Sequence, residues 1–299
     1  MELSQVKGDT WVIEANELIP LYKLDEHRCI LLDTGLLEER EELESTLLEA
    51  GLAPVGVLCS HAHIDHCANN GYFQEKYGTK IALTFPEAGM CSTLLTLKCY
   101  FLTLSPGMVE RESACMVHEP DYFIPPNDTP FTLEGVKFQI IQTPGHSAGH
   151  ICTVTPDNVC YTADALLSRE MLTAKLPYDL SHEMAKESRE KLRGLDCDFF
   201  IMAHRGVCSR EEFGPLLDEN QALVLRRAEE ILRLVDGPMT ASQIGERACL
   251  HFQLLTRRPH RSLRFERNIR FFVEFLVDTG RMAVECRNGV PYYRRAGED

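Results

Sequence analysis

The chain lacks any continuous apolar stretch of the roughly 20 residues that a membrane-spanning helix needs. Its first residues, Met1 to Lys7, lack the basic and apolar regions of a signal peptide. Its 12 cysteines include no Cys-x-x-Cys pair, so the usual thiolate motif of a zinc or redox site is missing. Scattered cysteines without a signal peptide predict a cytoplasmic protein with free thiols.

Basic residues are also scarce, because the 299 residues include 31 Lys and Arg against 45 Asp and Glu, a net charge of −14 at pH 7. This excess of acid opposes non-specific binding to nucleic acids. Neither a Walker loop nor a Gly-x-Gly-x-x-Gly fingerprint occurs. The deficit of basic residues is confined to residues 1–213. Residues 214–299 carry 14 Arg and no Lys against 12 Asp and Glu. This shift and the chain length predict two domains, 1–213 and 214–299.

The segment from Ser60 to His66, Ser-His-Ala-His-Ile-Asp-His, is rich in potential metal ligands. It directly follows an apolar run over 55–59 that predicts a buried strand. His61 and His63 lie two residues apart, a spacing that points both side chains of a strand in the same direction. Asp65 and His66 follow, so that one short loop offers two ligands to one cation and two to its neighbour. Imidazole nitrogen and carboxylate oxygen are ligands that zinc accepts.

Other strand-like segments also end in potential ligands. His146 and His150 follow the apolar run over 136–143, Asp164 follows 159–163, and His204 follows 199–203. An α/β sandwich collects a site from distant parts of the chain in this way, with one ligand at the end of each of several strands. The pattern therefore predicts a metal centre assembled from separate loops.

Five ordered elements resemble the metallo-β-lactamase superfamily over about the first 210 residues. They are Asp33-Thr34-Gly35, the His61-to-His66 motif, His146, Asp164 and His204. The segment from Thr143 to His150, Thr-Pro-Gly-His-Ser-Ala-Gly-His, is most similar to the glyoxalase II-like hydrolases of that superfamily. The resemblance implies an α+β fold, a four-layer αββα sandwich, followed here by a small C-terminal domain.

The resemblance also assigns roles to these residues. His61, His63 and His146 would bind one metal, Asp65, His66 and His204 would bind the second, and Asp164 would bridge the two. Asp33 would orient a ligand, and His150 would be structural. We expect two divalent ions per chain, zinc first, with manganese or iron as alternatives because of the carboxylate ligands.

Two adjacent cations lower the pKa of bound water to about 7 and polarise the group under attack. We therefore expect a binuclear hydrolase in which a metal-bound hydroxide attacks a small ester, thioester or lactone. Asp65 would also be catalytic, moving a proton from the nucleophile to the leaving group. A nuclease acting on RNA or DNA with the same metals is the alternative. A di-iron oxidoreductase is disfavoured, because no flavodoxin-like domain follows.

A helical insertion is expected near 86–118, where apolar residues are too frequent for a solvated loop. Three roles stay open for it: a lid over the metals, a dimer contact, or additional core. His118, Glu119 and Asp121 at its end are interpreted as ordinary loop residues. Cys59 and Cys67, which flank the metal motif, are interpreted as small packing residues.

Residues 214–299 predict helices over 215–236, 240–249 and 262–278, then a hairpin over 282–294 whose Asn288-Gly289 favours a type I′ turn. Three helices and a hairpin indicate a winged-helix arrangement. Arginines recur through the third helix and its approach: Arg257, Arg258, Arg261, Arg264, Arg267 and Arg270. They leave open nucleic-acid binding, docking or homodimerisation, and contact with an anionic small-molecule substrate. No membrane partner is expected.

Overall fold

The computed structural model describes residues 1–297 and contains two large β-sheets that face each other. The first sheet has seven strands in chain order: β1 (Glu2–Lys7), β2 (Thr10–Glu14), β3 (Leu18–Lys23), β4 (Arg28–Leu31), β5 (Ala53–Leu58), β6 (Lys80–Thr84) and β7 (Tyr122–Ile124). Strands β1 to β4 pair antiparallel and β4 to β7 pair parallel. The ends of the parallel strands therefore lie along one edge.

The second sheet has six strands in reverse chain order, from β13 at one side to β8 at the other. They are β8 (Pro130–Leu133), β9 (Val136–Gln142), β10 (Ile151–Val154), β11 (Val159–Ala163), β12 (Phe199–Met202) and β13 (Gly206–Ser209). Only the β11–β12 pair is parallel, with Val159 opposite Phe199. This pair delivers Asp164 and His204 to the same edge.

The central strands of both sheets are buried on both faces, which explains their nearly continuous apolar sequences. Ile30 of β4 packs with Ile140 and Ile201 in the core between the sheets, whereas its neighbour Leu31 points to the opposite side and packs beneath the outer helices. In β12, Phe200 faces outward and the adjacent Ile201 faces inward. Successive side chains of a strand point to opposite faces, so the two sheets contribute to three separate apolar layers.

Helices cover both outer faces and complete the four-layer αββα arrangement predicted from the sequence. They are α1 (Arg40–Glu49), α2 (Ile64–Cys67), α3 (Asn70–Tyr77), α4 (Phe85–Cys91), α5 (Leu94–Tyr100), α6 (Pro106–Ser113) and α7 (His182–Leu192). Short 3-10 helices lie at Leu37–Glu39, Ala114–Met116 and Arg169–Thr173. Ser181 caps α7, as predicted, by accepting a hydrogen bond from the Met184 amide.

The segment expected as a helical insertion forms α4, α5 and α6. Leu97, Leu104 and Val109 are buried in the core beneath the first sheet. The insertion therefore adds to the core, one of the three roles left open, and the end of α5 also reaches the site described below.

Residues after β13 form α8 (Arg210–Arg233), α9 (Ala241–His251), α10 (Pro259–Asp278) and a hairpin of β14 (Met282–Arg287) and β15 (Val290–Arg295). The hairpin turns at Asn288 and Gly289, both with positive φ, as a type I′ turn requires. The three helices and the hairpin occur in the expected order, while their assignment as a winged-helix domain stays a prediction.

Helix α8 passes continuously through residue 213, where the sequence suggested a domain boundary. Phe213 and Leu216, near the start of α8, pack on the second sheet. Val224 and Ile231, farther along the same helix, pack with α9 and α10. One helix thus belongs to both hydrophobic clusters, and the division at 213 stays a prediction. Strands β1, β7, β8 and β13 are additional to the predicted elements. Within residues 1–297, no helix is long and apolar enough to cross a bilayer.

Candidate metal centre

Seven side chains from four separate segments converge at one edge of the sandwich. They form two groups whose potential ligand atoms lie within 4.8 Å of one another: His61, His63, His146 and Asp164 in the first group, and Asp65, His66, Asp164 and His204 in the second. These are the residues that the sequence motifs indicated, in the same two sets. Their role as metal ligands stays a prediction.

Asp164 lies at the centre of the cluster because it directly follows β11. Its Oδ2 is 3.2 Å from His146 Nε2 and 3.9 Å from His61 Nε2 in the first group. The same oxygen is 3.5 Å from His66 Nε2 and 3.4 Å from His204 Nε2 in the second group. One carboxylate therefore faces ligand nitrogens of both groups, as a bridge requires.

In the first group, three imidazoles point nitrogens at one another. His63 Nδ1 lies 2.8 Å from His61 Nε2 and 2.9 Å from His146 Nε2. The outer nitrogens are held elsewhere: His146 Nδ1 donates to the Tyr178 carbonyl, and His61 Nδ1 contacts the Ser60 hydroxyl, which itself donates to Asp33. Outer donors of this kind fix the tautomer and leave the inner nitrogens as lone pairs.

Asp33 organises the second group from beneath. It accepts a hydrogen bond from His66 Nδ1 at 2.7 Å, from the Ser60 amide and hydroxyl, and from the Tyr161 hydroxyl. The predicted orienting role of Asp33 agrees with these contacts. His66 is thereby held with Nε2 directed at Asp164 and Asp65.

The residues fit a pair of cations. Converging lone pairs on His61, His63 and His146 cannot satisfy one another by hydrogen bonds, and buried polar atoms without a partner are costly. His66 Nε2 and Asp164 Oδ1 are buried and have no hydrogen-bond partner among the described residues. Nitrogen and carboxylate oxygen are the donor set of zinc and related divalent ions.

The charges at the site shift the pKa values in opposite directions. Burial, together with the neighbouring histidines, holds the pKa of His61 and His63 well below the ordinary value, so both are neutral. Burial opposes protonation of His66 too, but Asp164, Asp65 and Asp33 outweigh it and raise the pKa. Asp164 raises the pKa of His204 to about 9. The carboxylates thus concentrate negative charge on the second group.

Glu17, immediately before β3, is a buried neighbour of the cluster that was not predicted from the sequence. Its Oε1 lies 3.6 Å from His204 Nδ1. Burial and the nearby Asp65 raise the pKa of Glu17 to about 7. Glu17 is the residue best placed to orient His204 from outside the cluster.

Three residues beside the cluster have positive φ although they are not glycine: Asp33, Ala163 and Arg205. Ala163 immediately precedes Asp164, and Arg205 immediately follows His204. Non-glycine residues in the left-handed region cost free energy and persist where the surroundings impose them. The backbone turns sharply at these strand ends and thereby directs the carboxylate and imidazole into the cluster.

Glu87 of α4 connects the loops that carry the first group, and sequence analysis missed it. This buried carboxylate accepts hydrogen bonds from the Ala62 amide, the Gly149 amide and the Ser147 hydroxyl. The spacing Gly145-His-Ser-Ala-Gly149 also matches a serine nucleophile motif. Ser147 is buried and donates to Glu87, so it has a structural function here.

A pair of tyrosines supports the same group from the other side. The Tyr100 hydroxyl, at the end of α5, lies 2.5 Å from His63 Nε2 and 2.8 Å from the Tyr178 hydroxyl. Burial raises the pKa of both phenols, so they stay protonated. Tyr178 thus supports His146 through its carbonyl and His63 through Tyr100.

His150 is interpreted from the sequence as structural, and His118, Glu119 and Asp121 as ordinary loop residues; none of the four belongs to either group. His150 lies outside both groups, and its Nε2 accepts a hydrogen bond from the Asp164 amide while burial lowers its pKa to about 3. His118 is buried and bonded to Asn70, and Asp121 pairs with Lys80. Glu119 contributes its carbonyl to a bond from a glutamine side chain.

A cavity of about 250 Å³ opens onto the cluster. Its floor is formed by His63, Asp65, His146, Asp164 and His204. Its walls come from the end of α5, from the first half of α10 and from the segment before α7: Phe101, Tyr178, Arg264, Arg267 and Asn268. The third C-terminal helix therefore forms part of the same pocket as the ligands.

Comparison with known families agrees with this architecture. The family model of the metallo-beta-lactamase superfamily matches residues 11–204, which include all seven residues of the cluster. Among solved structures, a metallo-beta-lactamase family protein from Thermus thermophilus is 22% identical with a TM-score of 0.69, covering 93% of each chain. A beta-lactamase domain protein from Burkholderia ambifaria is 17% identical with a TM-score of 0.72, covering 99% of this chain and 94% of its own.

The matches to curated relatives cover a smaller share of each chain than the two matches to solved structures do. A hydroxyacylglutathione hydrolase of Mesorhizobium japonicum is 25% identical over 220 residues, which are 71% of this chain and 74% of that protein. A protein of the same name from Brucella ovis is 27% identical over 196 residues, 64% of each chain. The chain thus spans a little under two thirds of the second relative.

Proposed function

The chain belongs to the metallo-beta-lactamase superfamily and is a metal-dependent hydrolase, and on this premise we propose that it is a binuclear hydrolase of a small ester, thioester or lactone. The observation that carries this proposal is the single oxygen of Asp164 that faces ligand nitrogens of both groups. The relatives named hydroxyacylglutathione hydrolase support a thioester among the candidate substrates.

The protein side of the reaction follows from the arrangement of the residues. His61, His63 and His146 would hold one divalent cation, Asp65, His66 and His204 the other, and Asp164 both. When bound, the two cations would lower the pKa of a water molecule and polarise the scissile carbonyl. The outer partners of the histidines, chiefly Asp33 and the Tyr178 carbonyl, keep the ring nitrogens in place while charge develops.

Asp65 is the candidate proton carrier. Its Oδ2 lies 3.9 Å from His66 Nε2 and 3.7 Å from His204 Nε2, and the side chain is one-quarter exposed at the cavity floor. One carboxylate oxygen would face the second cation and the other would take the proton of the attacking water and deliver it to the leaving group. A carboxylate at the cavity floor could perform both steps, because it would border both the bound water and the leaving group.

The bridge is tested by Asp164→Asn. A neutral amide attracts two cations less than a carboxylate does, so we expect metal content to fall from about two ions per chain and hydrolysis to fall at least about a hundredfold. Elemental analysis of protein purified without chelator measures the first effect, and assays on ester, thioester and lactone substrates measure the second. Asp278→Asn, which removes an exposed carboxylate at the end of α10, is the matched control.

A wild-type stoichiometry of one ion or less that added zinc, manganese or iron does not restore would contradict the binuclear proposal. Near wild-type activity and full metal content in the Asp164→Asn protein would contradict the bridge itself. Cleavage of RNA with no turnover of any ester, thioester or lactone would favour the nuclease instead.

A further inference from the structure

Two arginines of α10 lie at the pocket without an anionic partner. Arg264 and Arg267 line the cavity beside Asp65 and His63. Among residues 1–297, no carboxylate approaches within 4.0 Å of either guanidinium, although Glu112 and Asp65 are close enough to act on the pKa of Arg264. The Nε atoms of both side chains, and Oδ1 of the adjacent Asn268, are buried with no hydrogen-bond partner in the described part of the chain.

Aromatic rings hold these side chains in place. The Arg267 guanidinium lies 5.1 to 5.9 Å from the centroids of four rings, contributed by Tyr100, Phe101, Tyr178 and Phe271. Arg264 lies 5.9 Å from the Phe101 ring. Stacking of this kind orients the planar donor fork of arginine in advance and leaves its edge free for a bidentate acceptor.

The other arginines of the helix differ. Arg261 and Arg270 are exposed, and Arg270 pairs with Glu274. For the arginines of this helix, the sequence left open nucleic-acid binding, docking or homodimerisation, and contact with an anionic substrate. The structure divides the arginines between the outer surface and the pocket. Of these arginines, only Arg264 and Arg267 line the cavity. Their side chains are half-buried and belong to the pocket, not to the outer surface of α10.

The charge at the pocket favours an anionic ligand. Burial lowers the pKa of Arg264, so its cationic form is held in a partly desolvated position at a cost. The two guanidiniums stand beside a ligand cluster whose cations would outweigh the charges of Asp65 and Asp164. Cations without partners in a pocket are satisfied when a ligand brings carboxylate or phosphate oxygens.

Building on the function proposed above, we propose that Arg264, Arg267 and Asn268 form an anion subsite and that the substrate is a small ester or thioester bearing a carboxylate. The arginines would bind the carboxylate, and the side-chain NH2 of Asn268 would donate a further hydrogen bond to it. The floor of the same cavity would hold the scissile carbonyl. A cavity of about 250 Å³ walled by α5 and α10 fits a small molecule and not a nucleic-acid strand. The net charge of −14 also opposes a polyanion.

The test uses two substrates, mono-4-nitrophenyl succinate and its methyl ester, in which one added methyl group removes the negative charge and the nitrophenyl ester stays the same. In metal-replete wild-type protein, we expect kcat/KM for the anionic ester to exceed that for the neutral ester by about tenfold to a hundredfold. This ratio corresponds to the free energy of one hydrogen bond to a charged group. Arg267→Gln and Arg264→Gln should each reduce this ratio about tenfold, mainly through KM. Arg270→Gln removes the same charge from the outer side of α10 and should leave the ratio unchanged.

A second readout does not depend on turnover. Calorimetric titration with succinate should give a dissociation constant about tenfold weaker for Arg267→Gln than for wild type and Arg270→Gln. Circular dichroism and metal content of the variants establish that fold and metal centre are intact. Lys in place of Arg267 retains the charge without the fork, so Arg267→Lys should recover only part of the preference.

The outcomes separate the two proposals. If neither ester, nor any other acyl substrate, is hydrolysed, the proposed function fails, while the succinate titration still decides the subsite. If both esters are hydrolysed at equal rates and succinate binds all proteins alike, the subsite is overturned and the hydrolase remains. Tight binding of single-stranded RNA that Arg267→Gln abolishes would overturn the small carboxylate in favour of a phosphodiester.

Discussion

The two ligand groups share Asp164 but are built differently. In the first group, the His61 side chain is fully buried and that of His146 is 10% exposed, whereas in the second group Asp65 and His204 are about one-quarter exposed. The first group offers three imidazoles and one carboxylate, the second two imidazoles and two carboxylates. Closed sites retain their ion, while open sites admit water and substrate. When both groups hold a cation, we therefore expect the first to retain it more firmly and the second to exchange it more readily.

The largest effect expected from this difference concerns metal removal. During titration with a chelator, the ion of the second group should leave at a concentration at least about tenfold lower than the ion of the first. Hydrolysis should be lost with the first equivalent released, because Asp65 and His204 belong to the group that empties. Metal content and activity measured along the same titration check this order. Simultaneous release of both ions would remove the distinction between the groups.

Glu87 provides a way to weaken the first group alone. In Glu87→Gln, an amide nitrogen would replace one of the oxygens that accept from the Ala62 and Gly149 amides and the Ser147 hydroxyl. We expect metal affinity of the first group to fall about 10- to 100-fold and unfolding free energy to fall by about 1–3 kcal/mol. Competition with a fluorescent chelator measures the affinity, and denaturant unfolding measures the stability. Glu110→Gln, on the exposed side of α6, is the matched control.

A smaller effect is expected from the support beneath His146. Asp179, next to Tyr178, is buried and pairs with Arg189 and His182. Burial opposes its ionisation, but Arg189 and His182 outweigh this and lower the pKa of Asp179 from 3.8 to about 2. The pair therefore stabilises the fold above about pH 4, and this contribution is lost as pH falls toward 2.

The corresponding measurement is the free energy of unfolding of wild type and Asp179→Asn between pH 5 and 2, both without metal. We expect the advantage of the wild type to shrink by about 2 kcal/mol over this range. An advantage independent of pH would show that Asp179 contributes through packing and not through its charge.

The candidate ligands were accessible from the sequence because each follows an apolar strand. Parallel strands bring their ends to one edge, so Asp164 and His204 after β11 and β12 meet the His61-to-His66 loop after β5. Local pattern and connectivity suffice for this part of the site. The short strand β7, with three residues, carries too little alternation to be recognised.

The residues that surround the ligands could not be found in this way. Glu87, Tyr100 and Tyr178 belong to α4, to α5 and to a loop, and their direction toward the cluster results from packing between elements. The arginines of α10 show the geometric reason. A spacing of three residues rotates each successive side chain by about 300°, so Arg261 and Arg270 lie about 180° apart on the helix. Only the packed structure shows that Arg264 and Arg267 face the cavity.

The contribution of α10 to the pocket has a consequence for synthesis of the chain. All seven candidate ligands have been translated once His204 is added, whereas Arg267 follows about sixty residues later, a delay of several seconds at about 5–20 residues per second. Leu263 of the same helix packs against the core beneath the first sheet. The seven candidate ligands thus leave the ribosome before α10 does, so they can come together before the last wall of the pocket exists.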